Sequence, residues 1–218
     1  SLPAARPTIA KTDQRAPEQR RYSIDPKTFQ ALLKLATEVN PNHLGHAITR
    51  SIAQAMLADL CFLIVLADDK SMAITHGFDL IREENLGGTT IHKEAVPQLA
   101  SAIQRGRPLR LPASSTSPDI KILGQMLGLS NPGHMMSAPI LSSNRKPIGA
   151  ILLLSPYSNR QWNAEDQTFL FNLSTSFTPI IERSKRMSTM YHEYDKIQQT
   201  IQAAQEEAAE ARKKYEEL

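Results

Sequence analysis

Side chains able to carry chemistry are few in this sequence and poorly placed for it. Cys61 is the single cysteine and lies inside the apolar run 60–67. It has no disulfide partner, and it lacks the charged surroundings that activate a thiolate. The six histidines are His43, His46, His76, His92, His134 and His192, and they fall on different predicted elements. Only His43 and His46 are spaced to share a helix face, with no third ligand nearby, so no metal site is expected. A serine hydrolase would carry its nucleophile on a Gly-x-Ser-x-Gly turn, which does not occur. Residues 128–133, Gly-Leu-Ser-Asn-Pro-Gly, are bracketed by glycine but read as a loop between a helix and a strand. Neither a phosphate-binding glycine loop nor a dinucleotide fingerprint is present. The expectation is a non-catalytic chain without cofactors.

The 218 residues suffice for one domain of roughly 150 residues with extensions. No stretch reaches the roughly 18 apolar residues that a membrane span needs, and the N-terminus lacks a signal-like apolar segment. With one buried cysteine, a cytoplasmic location is expected. The net charge of +3 is local in origin. Residues 1–22 hold Arg6, Lys11, Arg15, Arg20 and Arg21 against Asp13 and Glu18. Of 25 basic and 22 acidic residues, five and two fall there, leaving a neutral body with 20 of each. A charge excess confined to a proline-containing linker does not point to nucleic acid.

The elements that must position any site follow from spacing. Asp25-Pro26 is a helix start, and Phe29, Leu32, Leu33 and Ala36 recur at helical intervals until Asn40-Pro41 ends the run. Leu44, Ile48, Ile52 and Met56 mark a second helix. Residues 60–67 read as a central strand, Asp68-Asp69 as a turn and 71–76 as the hairpin partner. A loop-rich connection punctuated by Gly77, Gly87 and Gly88 leads to a helix over 94–105, with Pro97 in its first turn. Further elements are a short strand at 108–111, helical turns at 120–127, and strands at 134–142 and 148–155. Helix follows from Ala164 almost to the end. Two hairpins imply a mainly antiparallel sheet covered by helices, an α/β (α+β) chain.

Three stretches then resemble a GAF domain, the small-molecule-sensing fold related to PAS domains. They are His134-Met-Met-Ser-Ala-Pro-Ile140, Arg145-Lys-Pro-Ile-Gly149 with the apolar run that follows, and Trp162-Asn-Ala-Glu-Asp166. The resemblance covers residues 26–186 and implies a three-layer α/β/α domain over 23–186. It also implies a pocket between the sheet and the segments from Gly87 to Gly133. Met126, Met135 and Met136 could line such a pocket, because methionine is flexible and polarizable. Arg107 and Arg110 could anchor an acid group there, and His134 is a further candidate contact. Covalent bilin attachment is not implied, since 115–129 has no cysteine. Asn144-Arg145 and Trp162-x-x-x-Asp166-Gln167 only partly match the signature of cyclic-nucleotide-binding relatives.

The last segment carries the longest pattern. Met187, Met190, Tyr194, Ile197, Ile201, Ala204, Ala208, Ala211, Tyr215 and Leu218 step by three and four, an a/d seam over 187–218. In a parallel pair, Glu207 at g faces Arg212 at the following e position. Pro179 predicts a kink or break between the domain and this coil. The reading is a piece of a signalling protein: a sensory or docking module, homodimeric through its C-terminal helix, with an unidentified small molecule as possible ligand. A ligand-free dimerisation scaffold and a cyclic-nucleotide binder are the alternatives.

Overall fold

The computed structural model describes residues 41–216. The linker expected at 1–22, the helix expected over 25–40 and Leu218 lie outside the described residues, as does the side chain of Tyr215. Helix α1 (Pro41–Met56) opens on its proline and buries Leu44, Ile48, Ile52 and Met56, one stripe at helical spacing. Strand β1 (Leu60–Leu66) turns into β2 (Ser71–Asp79) through Asp68. The Asp68 carboxylate accepts the Lys70 and Ser71 backbone N–H groups at 2.7 and 2.6 Å. Then come β3 (Glu84–Leu86), β4 (Thr89–His92), a 3-10 turn (Lys93–Ala95), α2 (Pro97–Gln104) and β5 (Leu109–Leu111). Helix α3 (Pro118–Met126), β6 (Met135–Leu141), β7 (Pro147–Leu154) and α4 (Ala164–Glu216) complete the chain.

The seven strands form one sheet in the order β3-β2-β1-β7-β6-β5, with β4 also paired to β2, and every pairing is antiparallel. The central pair, β1 and β7, alternates its side chains between two cores. Cys61, Leu63, Ile151 and Leu153 face α1 and the first half of α4, while Leu60, Phe62, Leu152 and Leu154 face α2 and α3. Gly149 lies opposite Val65, where an added Cβ would collide with the Ile64 carbonyl, so glycine lets β7 close on β1. Pro139 sits beyond the reach of β5, on the free edge of β6, where its missing N–H costs nothing. On the second face, buried Asp119 accepts the Leu99 backbone N–H at 2.7 Å and so ties α2 to α3.

The structure departs from the expectations in three places. Gly77 lies inside β2, and the loop expected after it contains β3 and β4, too short and too polar to show a strand period. The helix expected over 94–105 divides at Val96 into a 3-10 turn and α2, because Pro97 opens its own first turn. Helix α4 continues through Pro179 without a break. Pro179 is on the exposed side there, and the neighbouring Thr178 hydroxyl donates to the Leu141 carbonyl at 2.6 Å, holding the turn to the sheet.

Cys61 is fully buried, and burial pushes its thiol pKa far up. Native protein should therefore react with thiol reagents only as fast as it unfolds, and fast native labelling would refute the packing assignment. A second expectation concerns His76, whose ring lies over Gly45 and edge-on to His46 at 4.7 Å. Burial first, and His46 second, hold its pKa below the ordinary 6.5. The unfolded chain then takes up a proton before the folded one does. Stability should fall as pH drops below 6.5 towards the folded-state value. Melting curves across that window should flatten in His76→Gln, and an unchanged slope would remove His76 as the cause.

Candidate functional site

A cavity of about 330 Å³ opens between the sheet and the C-terminal end of α3. Leu60 and Phe62 from β1, Leu86 from β3, and Met126, Leu127 and Leu129 supply apolar walls. Gly87, Gly88 and Thr89 form one lip, and Asp79, Arg82 and Tyr157 make a polar corner. Asp79 has a side chain only 1% exposed. One carboxylate oxygen accepts the backbone N–H groups of Ile81 and Arg82 at 2.9 and 3.0 Å, and the other accepts the Tyr157 hydroxyl at 3.3 Å. Arg82 stands at 3.9 Å from Asp79 and 3.6 Å from Glu84.

Tyr157 is positioned by a second buried carboxylate. Asp59 accepts the backbone N–H groups of Tyr157 and Ser158, both at 2.7 Å, and so fastens the loop after β7 over the cavity. Desolvation, and then the charge of Asp79, push the Tyr157 hydroxyl pKa up, which keeps it a donor. Among the described residues no three His, Cys, Asp or Glu side chains are grouped to hold a metal ion. The corner can hydrogen-bond one polar group of a small molecule whose body fills the apolar walls.

No family model and no curated protein sequence matches this chain. Solved structures do match. The far-red cyanobacteriochrome photoreceptor superposes with TM-score 0.56 at 15% identity, covering 72% of this chain and 95% of its own. The GAF domain of a phosphoenolpyruvate-protein phosphotransferase from Coxiella burnetii gives 0.53 at 14%, covering 74% and 94%. The Nlh2 GAF domain of A. aeolicus in an inactive state gives 0.51 at 12%, covering 74% and 97%. The chain has the GAF fold.

Within this GAF fold the five residues expected at a ligand site are not brought together. Met126 lines the cavity. Met135 is buried on the same side of the sheet, whereas Met136 points into the opposite core, beneath α1 and α4. Arg110 pairs with Met136 across β5 and β6 and shares that opposite side, where its guanidinium donates to the Trp162 carbonyl at 2.9 Å. Arg107 is exposed in the turn after α2. His134, at the head of β6, accepts the Ala113 backbone N–H at 3.2 Å. The cation at the GAF cavity is Arg82, which sequence reading passed over because it falls in a stretch read as loop. The signal was there in Asp79-Leu-Ile-Arg82, an aspartate placed to accept N–H groups two and three residues on.

Asp166, the acid of the partial cyclic-nucleotide signature, is also occupied. It accepts the Asn163 backbone N–H at 2.8 Å while its own N–H donates to the Asn163 side chain at 2.9 Å, closing the first turn of α4. Arg160 stands 4.0 Å away. Asp59 and the Tyr157 hydroxyl hold the loop over the cavity to different degrees, and substitution should show it. Asp59→Ala strands two backbone N–H groups and should lower unfolding free energy by about 3 kcal/mol. Tyr157→Phe should cost about 1 kcal/mol or less, since it removes one long hydrogen bond at a half-exposed ring. Urea denaturation measures both, and equal losses would show that Asp59 does not position the loop.

Proposed function

We propose that this GAF domain is a non-catalytic sensory or regulatory module whose output is the geometry of a paired C-terminal helix. The observation that carries the reading is the length and surface of α4. It runs for 53 residues, and only its first part is covered by the domain. Beyond Met187, the apolar side chains Met190, Tyr194, Ile197 and Ile201 are 63%, 59%, 57% and 45% exposed. They lie on one stripe with a heptad period, and Ala204, Ala208 and Ala211 prolong it. A stripe of that kind is satisfied by a second copy of itself, with Glu207 set to meet Arg212 of the other chain.

The input would be a small molecule in the Asp79–Tyr157 cavity, apolar in body and carrying one hydrogen-bonding group. One neighbour of the same fold is a photoreceptor, which supports a sensory use. A ligand-free dimerisation module is the second reading, favoured by a cavity of about 330 Å³, at the small end of ligand sites. A thermal-shift screen separates the two, because a ligand selective for the folded state raises the melting temperature. No helix among the described residues is long and apolar enough to cross a membrane.

The dimer has its own test. Ile197→Lys with Ile201→Lys places like charges across the seam, and light scattering should then report monomers where the unaltered chain gives dimers. A dimer that survives both substitutions would move the interface onto the domain and remove the helix pair as output.

A further inference from the structure

The polar corner of the cavity is short of hydrogen-bond donors at one atom. Of the two Asp79 carboxylate oxygens, Oδ1 accepts the backbone N–H groups of Ile81 and Arg82 at 2.9 and 3.0 Å. Among the described residues, Oδ2 is approached by the Tyr157 hydroxyl at 3.3 Å and by Arg82 Nε at 3.9 Å, both long. A carboxylate oxygen in a side chain 1% exposed ordinarily takes charge-assisted bonds of about 2.7–2.9 Å. Asp59 shows the contrast, since its Oδ2 accepts two N–H groups at 2.7 Å each. The unmet demand at Asp79 Oδ2 stands on the wall of the cavity.

We propose that the cavity takes a small protonated amine, its ammonium donating to Asp79 Oδ2 and its apolar body lying among Leu60, Phe62, Leu86 and Met126. This names the ligand class of the sensory input and rests on that reading of the cavity. Charge supports it. The carboxylates Asp79, Asp59 and Glu84, the last being the register partner of Asp79 on β3, stand against one cation, Arg82. The Tyr157 hydroxyl registers the balance: burial first and the Asp79 charge next raise its pKa, Asp59 adds to them, and Arg82 opposes. An acid group entering here meets net repulsion and leaves Oδ2 as poorly served as before. Arg107 and Arg110, the cations able to anchor an acid, lie elsewhere.

Arg82 is the resident cation that the amine displaces. Its side chain is 64% exposed, and its contacts of 3.9 Å with Asp79 and 3.6 Å with Glu84 are those of a weak surface pair, so leaving costs little. Glu84 remains to receive it. One cation replaces another, and the charge of the corner is unchanged. The ammonium is a compact head with three donors, and it reaches Oδ2 from inside the cavity, where the exposed guanidinium does not sit. Phe62 and Tyr157 both line the cavity, and aromatic faces favour a cation over a neutral group. A volume of about 330 Å³, at the small end of ligand sites, limits the body to a single ring or a short branched chain.

Three probes of similar shape test the proposal by NMR titration of the whole chain: 2-phenylethylamine, the neutral 2-phenylethanol and the anionic 3-phenylpropionate. The amine should bind at least roughly tenfold tighter than either of the others and lose about tenfold in Asp79→Asn, which keeps an acceptor for the two N–H groups but not the charge. Arg82→Gln gives the sign without touching a buried group: removing the competing cation should tighten amine binding about threefold. Amine binding indifferent to both substitutions places the probe elsewhere and refutes the proposal. Equal binding of the alcohol refutes it too, because no cation is then selected. A preference for 3-phenylpropionate that weakens in Arg82→Gln overturns the proposal while leaving the cavity as the sensory input. Failure of all three probes also overturns it, and the broader thermal-shift screen then decides whether the cavity is an input at all.

Discussion

Strands β1 and β7 have no polar face, and that constraint organises everything else in the molecule. An edge strand with one wet side could be finished by a single layer of helices. Strands that are apolar on both sides need a cover on each, and the chain supplies α1 with α4 on one and α2 with α3 on the other. The two cores are not equal. The α2–α3 side is built from short helices that are joined through Asp119, and it ends in loops that leave a small cavity. The other side is built from α1 and the first half of the one long helix, whose remainder runs on past the sheet.

Buried carboxylates follow a common rule. Asp59, Asp79, Asp119 and Asp166 are all nearly inaccessible, and each accepts one or two backbone N–H groups at a loop or helix start. Burying a charge without such donors would cost several kcal/mol, so these positions are reserved by the fold before any ligand arrives. The groups that reach the cavity stand at the margin of this network. Tyr157 and Arg82 are held by buried acids yet reach the surface of the cavity.

Much of the architecture was legible because burial on two faces writes long apolar runs. Residues 60–67 and 148–154 announced themselves as central strands, and the a/d period announced the last helix. Strands β3 and β4 were illegible for the complementary reason, since three or four mostly exposed residues carry no period at all. The side of the sheet on which each candidate falls was less legible than the fold. Met126 and Met136 look alike in sequence, and only the pleat of β6 and the placement of α3 put them on opposite sides of the sheet. Arg107 and Arg110 were conspicuous as charges beside a strand, but Arg110 follows the same pleat away from the cavity. Pro179 misled because a proline forbids one hydrogen bond, and one turn anchored to the sheet by Thr178 tolerates that loss.

The uninterrupted course of α4 has a mechanical meaning. A helix without a break carries force along its axis, and this one is held at its base by the sheet, with its described side chains beyond Met187 exposed. From Ile181 to Glu216 the helix is about 52 Å long at 1.5 Å per residue. A tilt of about 5° at the base would carry the tip through about 4.5 Å, close to one helical pitch. Such gearing turns small adjustments in the grip into larger displacements at the tip. A break at Pro179 would have absorbed that motion instead of amplifying it.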